Sequence, residues 1–263
     1  MTGRRALGAL SALFAVVPLT ACSGGGSPEG AAAAPSATAS APATPSAPPP
    51  VPAGPPMTID LLFKRALAAG EVPGYRIDEF GVEAVGHQRG GRSYNERVDE
   101  YGATGLRRDA KPVADNAACQ PLADAMTVAP VGHWYGSVQR LALREPVGAA
   151  GPRSGIVLSS YEGRGAEAAM DAFRDAAARC AGGFTSWFEG ERDQIRSVTA
   201  VPVQAGDEAF GVAVAGDVGG SRTGAGLVAV RRGGTVFTVV TLGSDSPAQP
   251  PKALIEAQVK KLG

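Results

Sequence analysis

An α+β architecture is what this chain predicts for its folded part, and three observations carry that expectation. Short runs with alternating or continuous apolar residues, bounded by glycine and proline, recur between Tyr75 and Leu242 as they do in antiparallel hairpins. Segments with a 3.6-residue apolar period stand among them, the clearest from Gly165 to Cys180. Strands and helices do not alternate regularly, which argues against a parallel βαβ arrangement.

The chain has 263 residues, and its first 22 do not belong to that domain. Arg4 and Arg5 form a short positive region, and Ala6 to Leu19 form an uncharged apolar core interrupted by Gly8 and Pro18. Small residues then lead to Cys22, which completes the pattern of a secretory signal. The apolar run falls short of the roughly 20 residues that span a bilayer. Leu19-Thr20-Ala21-Cys22 resembles the lipobox of bacterial lipoproteins, which implies cleavage before Cys22 and acylation of its thiol. Small side chains before the cysteine admit a peptidase, the thiol is the nucleophile, and two or more acyl chains anchor stably where one would be marginal. The plain alternative is an ordinary cleaved signal followed by release. The arginine pair hints at twin-arginine export without its fuller pattern, so the general secretory route is expected.

Ser23 to Pro56 is almost wholly Gly, Ala, Ser, Thr and Pro, with Glu29 its one charge and Val51 its one large apolar residue. Such a segment buries too little surface to offset the entropy of ordering. Its 34 residues read as a spacer, about 100 Å long if fully extended. Serines and threonines among its alanines and prolines look like an O-glycosylated stalk, and an unmodified spacer fits equally well. The expected division is therefore a signal peptide at 1–21, Cys22 and its linker at 22–56, and one domain at 57–263.

Arg4, Arg5 and Glu29 are the only charged residues before Met57, which leaves 23 basic and 24 acidic side chains beyond it, a formal charge of −1. No basic stripe appears, so nucleic acid is not an expected partner. The partners expected are the membrane, through the lipid on Cys22, and an unidentified extracellular ligand or envelope protein.

Within the domain, Thr58 is the N-cap of a helix to Ala69 with Ile59, Leu62, Phe63 and Leu67 on one face, stopped by Gly70 and Pro73-Gly74. Tyr75 to Val85 reads as a strand bent at Gly81, and Gly86 to Asp115 as a long loop or ragged edge strands. Asp115-Asn116 caps a short helix through Met126, with Pro121 confining Cys119 to its irregular start. His133 to Leu143 and Ser154 to Ser160 form a hairpin. The Gly165–Cys180 helix carries a stripe of Ala166, Ala169, Met170, Phe173, Ala176, Ala177 and Cys180, and Gly182-Gly183 ends it. Phe184 to Phe188 and a charged loop (EGERD) lead to a strand from Ile195 to Val203. Strands follow at Ala209 to Ala215, Ala225 to Arg232 and Thr235 to Leu242. A last helix, Lys252 to Leu262, faces inward with Leu254, Ile255, Val259 and Leu262.

With Cys22 acylated, Cys119 and Cys180 remain, and export to an oxidising compartment makes a disulfide between them the default over two buried thiols. Residues with catalytic potential are sparse. His87 falls in the glycine-rich loop and His133 in a presumed strand, and neither sits in a metal or nucleophile motif. Gly216 to Gly226 lacks the lysine of a phosphate cradle and joins two strands. Glu189, Glu191 and Asp193 share a loop with Arg192, as a solvated surface would. Trp134, Tyr135, Trp187 and Phe188 could line a ligand pocket, although core packing explains them better. No catalytic residue, cofactor or metal is expected. A hydrolase built on paired carboxylates would instead need acidic residues in a cleft with perturbed pKa values.

Several local patterns occur together in order. They are Val72-Pro73-Gly74-Tyr75, Pro112 with Asp115, Cys119-Gln120-Pro121-Leu122, and Ala168 with Ala172-Phe173. Cys180 with Phe184, Gly206-Asp207-Glu208-Ala209 and VAVRRG from Val228 to Gly233 follow. The order is similar to actinobacterial lipoproteins and, more distantly, to the extracellular sensor domain of mycobacterial receptor-type serine/threonine kinases. The resemblance implies a twisted, mostly antiparallel sheet with flanking helices and a non-catalytic, ligand-binding role on the extracytoplasmic face of the cell membrane. Those kinase domains carry two disulfides; this chain has cysteines for one, and no kinase segment. A carrier of an apolar lipid or glycolipid is the alternative, and it requires a large apolar cavity.

Overall fold

The computed structural model describes residues 54–84, 112–146, 152–188, 190–218, 224–242 and 249–263. All belong to one compact unit, Pro49–Gly263; the other unit, Met1–Pro48, lies outside the described residues and with it Leu19, Thr20, Ala21 and Cys22. His87, Glu189 and most of the expected Gly86–Asp115 loop also lie outside them.

Nine strands form one antiparallel sheet: β1 Tyr75–Ala84, β2 Val113–Ala114, β3 Gly136–Arg144, β4 Arg153–Ser160, β5 Phe184–Phe188, β6 Glu191–Val201, β7 Glu208–Asp217, β8 Ala225–Arg232 and β9 Thr235–Leu242. Their spatial order is β1-β3-β4-β9-β8-β7-β6-β5-β2. The β3–β4 hairpin and the β5-to-β9 meander join where β4 pairs with β9, Gly155 opposite Val240. Four helices are described: α1 Ile59–Arg65, α2 Gln120–Met126, α3 Gly165–Arg179 and α4 Lys252–Leu262. The expected α+β class is what the structure shows.

The helices cover both faces of the middle of the sheet, and this explains the composition of its strands. Alternate side chains point to opposite faces. In β8, Ala225, Leu227 and Ala229 join a core with α2 and α3, while Val228 and Val230 join a second core with α1 and α4. In β9, Val236 and Val240 serve the first and Phe237 and Val239 the second. Strands buried on both faces must be apolar throughout, and β8 and β9 read that way. Towards one edge β6 is covered on one face only, burying Ile195 and Val198 and exposing Arg192, Gln194, Arg196, Thr199 and Ala200. The far edge is closed by β2, which is two residues long, as edge strands that resist further pairing are.

Differences from the sequence reading are local. The α1 helix stops at Arg65, because Ala66 turns to an extended conformation. Strand β3 begins at Gly136, and His133 sits exposed in the bend before it. Glu191 and Asp193 are not in a loop but on β6, opposite Phe188 and Ser186. The bend expected at Gly81 is a register shift between Glu79 and Gly81.

The α1 and α4 helices interlock through polar side chains. Gln258, fully buried, accepts from the Leu67 N–H at 3.1 Å and donates to the Arg65 carbonyl at 2.8 Å. The Lys261 ammonium donates to the Ala66 carbonyl at 2.6 Å and pairs with Glu71 at 2.8 Å. These groups satisfy carbonyls that the end of any helix leaves open. Arg140, 3% exposed, projects to the same face from β3; its Nε donates to the Leu67 carbonyl at 3.0 Å, and its guanidinium lies 4.5 Å from the Phe63 ring centroid. Burial pulls this guanidinium below its ordinary pKa, and the fields of Glu79 and Glu71 oppose the shift.

Candidate functional site

The residues behind the resemblance form structural locks. Cys119 and Cys180 are joined in a disulfide, Cα atoms 5.9 Å apart, tying the 3₁₀ turn before α2 to the end of α3. Gln120 fastens the edge strand: its amide donates to the Pro112 carbonyl at 2.7 Å and accepts from the Ala114 N–H at 3.1 Å. Pro121 occupies the first turn of α2, where a missing N–H does no harm, and Leu122 enters the core. Asp207 accepts from the Gly233 N–H at 2.8 Å and from Arg232 at 2.7 Å, which holds the β8–β9 turn. Although partial burial opposes it most, these bonds and the charges of Arg232 and Arg231 hold the Asp207 carboxyl below its ordinary range. Glu208 pairs with Arg231 of β8 and with Arg174 of α3.

The aromatic residues divide. Trp134 packs against the first core, whereas Trp187 is 41% exposed at the β2–β5 edge beside Val113, itself 58% exposed. Tyr135 and Phe188 are half-buried, and the four do not form one cluster along the sheet. Among the described residues no group of three His, Cys, Asp or Glu could hold a metal ion.

What does gather is a set of neutral polar side chains on the α3-side face of β3, β4 and β9. Ser137 stands opposite Ser159, Gln139 opposite Val157, and Val157 opposite Thr238. Side chains so opposed in antiparallel strands lie about 5 Å apart at Cβ. Ser137 is fully buried, Ser159 2% exposed and Gln139 9% exposed. Neither serine hydroxyl makes a well-directed hydrogen bond to another described protein group, although that of Ser159 lies against the Tyr161 phenol. Beside them the Tyr161 phenol donates to the Val131 carbonyl at 2.7 Å, and Tyr135 N–H donates to the Ser160 carbonyl at 2.8 Å, so the Val128–Tyr135 segment is fastened over the ends of β3 and β4. Burial raises the Tyr161 pKa strongly; the Ser159 hydroxyl nearby offsets a little of that without forming a well-directed hydrogen bond.

The same segment contains the one described non-glycine residue with positive φ, Val128 at +60°. A β-branched residue is strained there. Its side chain occupies the dent left by Gly155, where a Cβ would come within 2.3 Å of Val128 Cγ2. Nothing in the serines' local sequence marks them: the signal is register, which only the paired strands supply.

Sequence comparison finds no matching family model and no matching curated protein. Among solved structures, the fold is shared with the extracellular domain of PknH from Mycobacterium tuberculosis, at TM-score 0.50 and 11% identity over 79% of this chain and 97% of that one. An uncharacterized protein from Mycobacterium smegmatis, the ortholog of Rv0999, aligns with TM-score 0.31 and 12% identity over 72% of this chain and 88% of that chain.

Proposed function

We propose that the chain is an extracytoplasmic lipoprotein, anchored to the cell membrane at Cys22, whose domain binds a ligand or an envelope partner without catalysing a reaction. The observation that carries this reading is a disulfide-closed fold shared with an extracellular domain, on a chain bearing the Leu19-Thr20-Ala21-Cys22 pattern. Disulfides persist in oxidising compartments. No described helix is long and apolar enough to cross a membrane, so the lipid on Cys22 is the attachment this reading needs. The non-catalytic role draws support from the Asp207 and Glu208 carboxylates, which are engaged by arginines and a backbone N–H that hold the fold. A carrier of apolar lipid draws none from the described sheet, whose central apolar side chains pack into two helix-covered cores.

Replacing Cys22 with Ala in the native host tests the anchor. The protein should leave the membrane fraction and lose metabolic lipid label; unchanged partitioning and labelling would refute it. Native mass spectrometry of the wild-type protein extracted from its envelope tests binding, with a bound mass or partner expected and a bare polypeptide counting against it.

A further inference from the structure

We propose that Val113, Trp187 and Arg192 form a surface platform for an acidic polysaccharide; this rests on the reading of the domain as a binding module. The three side chains stand in one row across β2, β5 and β6, Val113 opposite Trp187 and Trp187 opposite Arg192. In β5, Phe184 and Ser186 are buried, Phe184 in the first core, so alternation turns Thr185 and Trp187 to the other face. No helix covers that face here, because the second core, beneath α1 and α4, takes no residue of β2, β5 or β6. Trp187 and Val113 are left exposed in consequence, although tryptophan is highly buried on average.

The composition of the platform selects its occupant. One row further along the strands, about 7 Å away, Thr185, Gln194 and Asp217 stand opposite one another on the same face. Asp217 pairs with Arg196 at 3.7 Å, whereas Arg192 pairs with no acid among the described residues, so the charge left open beside Trp187 is positive. An indole face takes the C–H side of a sugar ring, while Thr185 and Gln194 offer donors and acceptors to its hydroxyls. A guanidinium reads a carboxylate or a phosphate through paired N–H groups, which makes the complementary sugar chain an acidic one. Other occupants fit less well. A second copy of the chain would need about 800 Å² of surface with an apolar centre, and this patch supplies two large apolar side chains. An anionic membrane attracts clusters of cations, and a single unpaired one stands here.

The test titrates the full-length protein with oligogalacturonate and with a phosphomannan, which present carboxylate and phosphate on sugar chains, and with a neutral maltooligosaccharide for comparison. At least one acidic chain should bind more tightly than the neutral one. W187A should bind that chain about tenfold more weakly, and R192Q should erase the preference for it over the neutral chain. Both variants should melt with the wild type, since both side chains are exposed. No binding of either acidic chain, equal affinity for the neutral chain, undiminished binding by W187A, or a preference retained in R192Q would each overturn the proposal. So would a variant that melts well below wild type, which would make its side chain part of what holds the sheet. Cosedimentation of C22A with phosphatidylglycerol vesicles, lost in C22A/W187A, would overturn it in favour of a membrane surface. Native mass spectrometry separates the platform from the reading beneath it. A bound mass that survives in W187A keeps the binding module and overturns the platform, whereas no bound mass and no probe binding overturn both.

Discussion

Removing the Cys119–Cys180 bridge should lower the thermal midpoint by about 10 °C. The bridged cysteines are 61 residues apart, and closing a loop of that length in the unfolded chain is worth about 4 kcal/mol by the chain-entropy model. Unfolding a domain of roughly 200 residues carries about 0.4 kcal/mol of entropy per kelvin, which converts the first figure into the second. Scanning calorimetry of C119A/C180A against wild type reads the shift directly. Reduced wild type supplies the control, because it loses the bridge and keeps both sulfur atoms in the core, where Cys119 and Cys180 are almost fully buried. It should melt close to the variant. A shift below about 3 °C in both would refute the reasoning. A variant melting far below the reduced protein would assign the effect to the emptied core volume instead.

Gly206→Ala should cost about 3 kcal/mol in chemical denaturation, since φ is +59° and a Cβ would stand 2.5 Å from the Arg231 carbonyl oxygen. Gly233→Ala, at φ +57° with nothing within 4 Å of the new Cβ, should cost only about 1 kcal/mol; equal costs would refute the steric argument. Gln258→Leu strands the Leu67 N–H and the Arg65 carbonyl and should destabilise by about 3 kcal/mol, and a neutral outcome would show that water replaces the amide. Stability should fall in acid. Burial opposes the shift most, yet hydrogen bonds and cationic neighbours hold Glu71 below its ordinary 4.5, as Asp207 is held below 3.8. Carboxyls depressed in the folded state stabilise above their unfolded values and lose that contribution as pH drops through the folded ones. Denaturation midpoints should therefore decline below about pH 4.5, and K261M should flatten the decline; an unaltered slope would remove Glu71 from the account.

How legible the fold was in the sequence depended on whether its cause was local. The α3 stripe from Ala166 to Cys180 is buried as expected, because a helix shows its inner face within a few turns. The two-sided burial of β8 and β9 left continuous apolar runs with clear ends. The end of α1 is not readable, because the groups that donate to its last carbonyls, Gln258 and Lys261, come from more than 190 residues away. The charged start of β6 reads as a loop in sequence, since a strand covered on one face carries charges on the other. The Ser137–Ser159 pair was invisible for a related reason. Each serine is unremarkable in its own strand, and only the β3–β4 register brings them face to face.

The interlock between α1 and α4 also fixes an order of events. Residues at the beginning of the domain wait for partners at its end, across separations of 190 to 196 positions. Long closures of this kind form late, after the local hairpins. Until α4 docks, the Arg65 and Ala66 carbonyls and the Leu67 N–H lack the side-chain partners that close the end of α1. Loss of α4 would therefore unfasten the end of α1, although the two helices lie far apart in sequence.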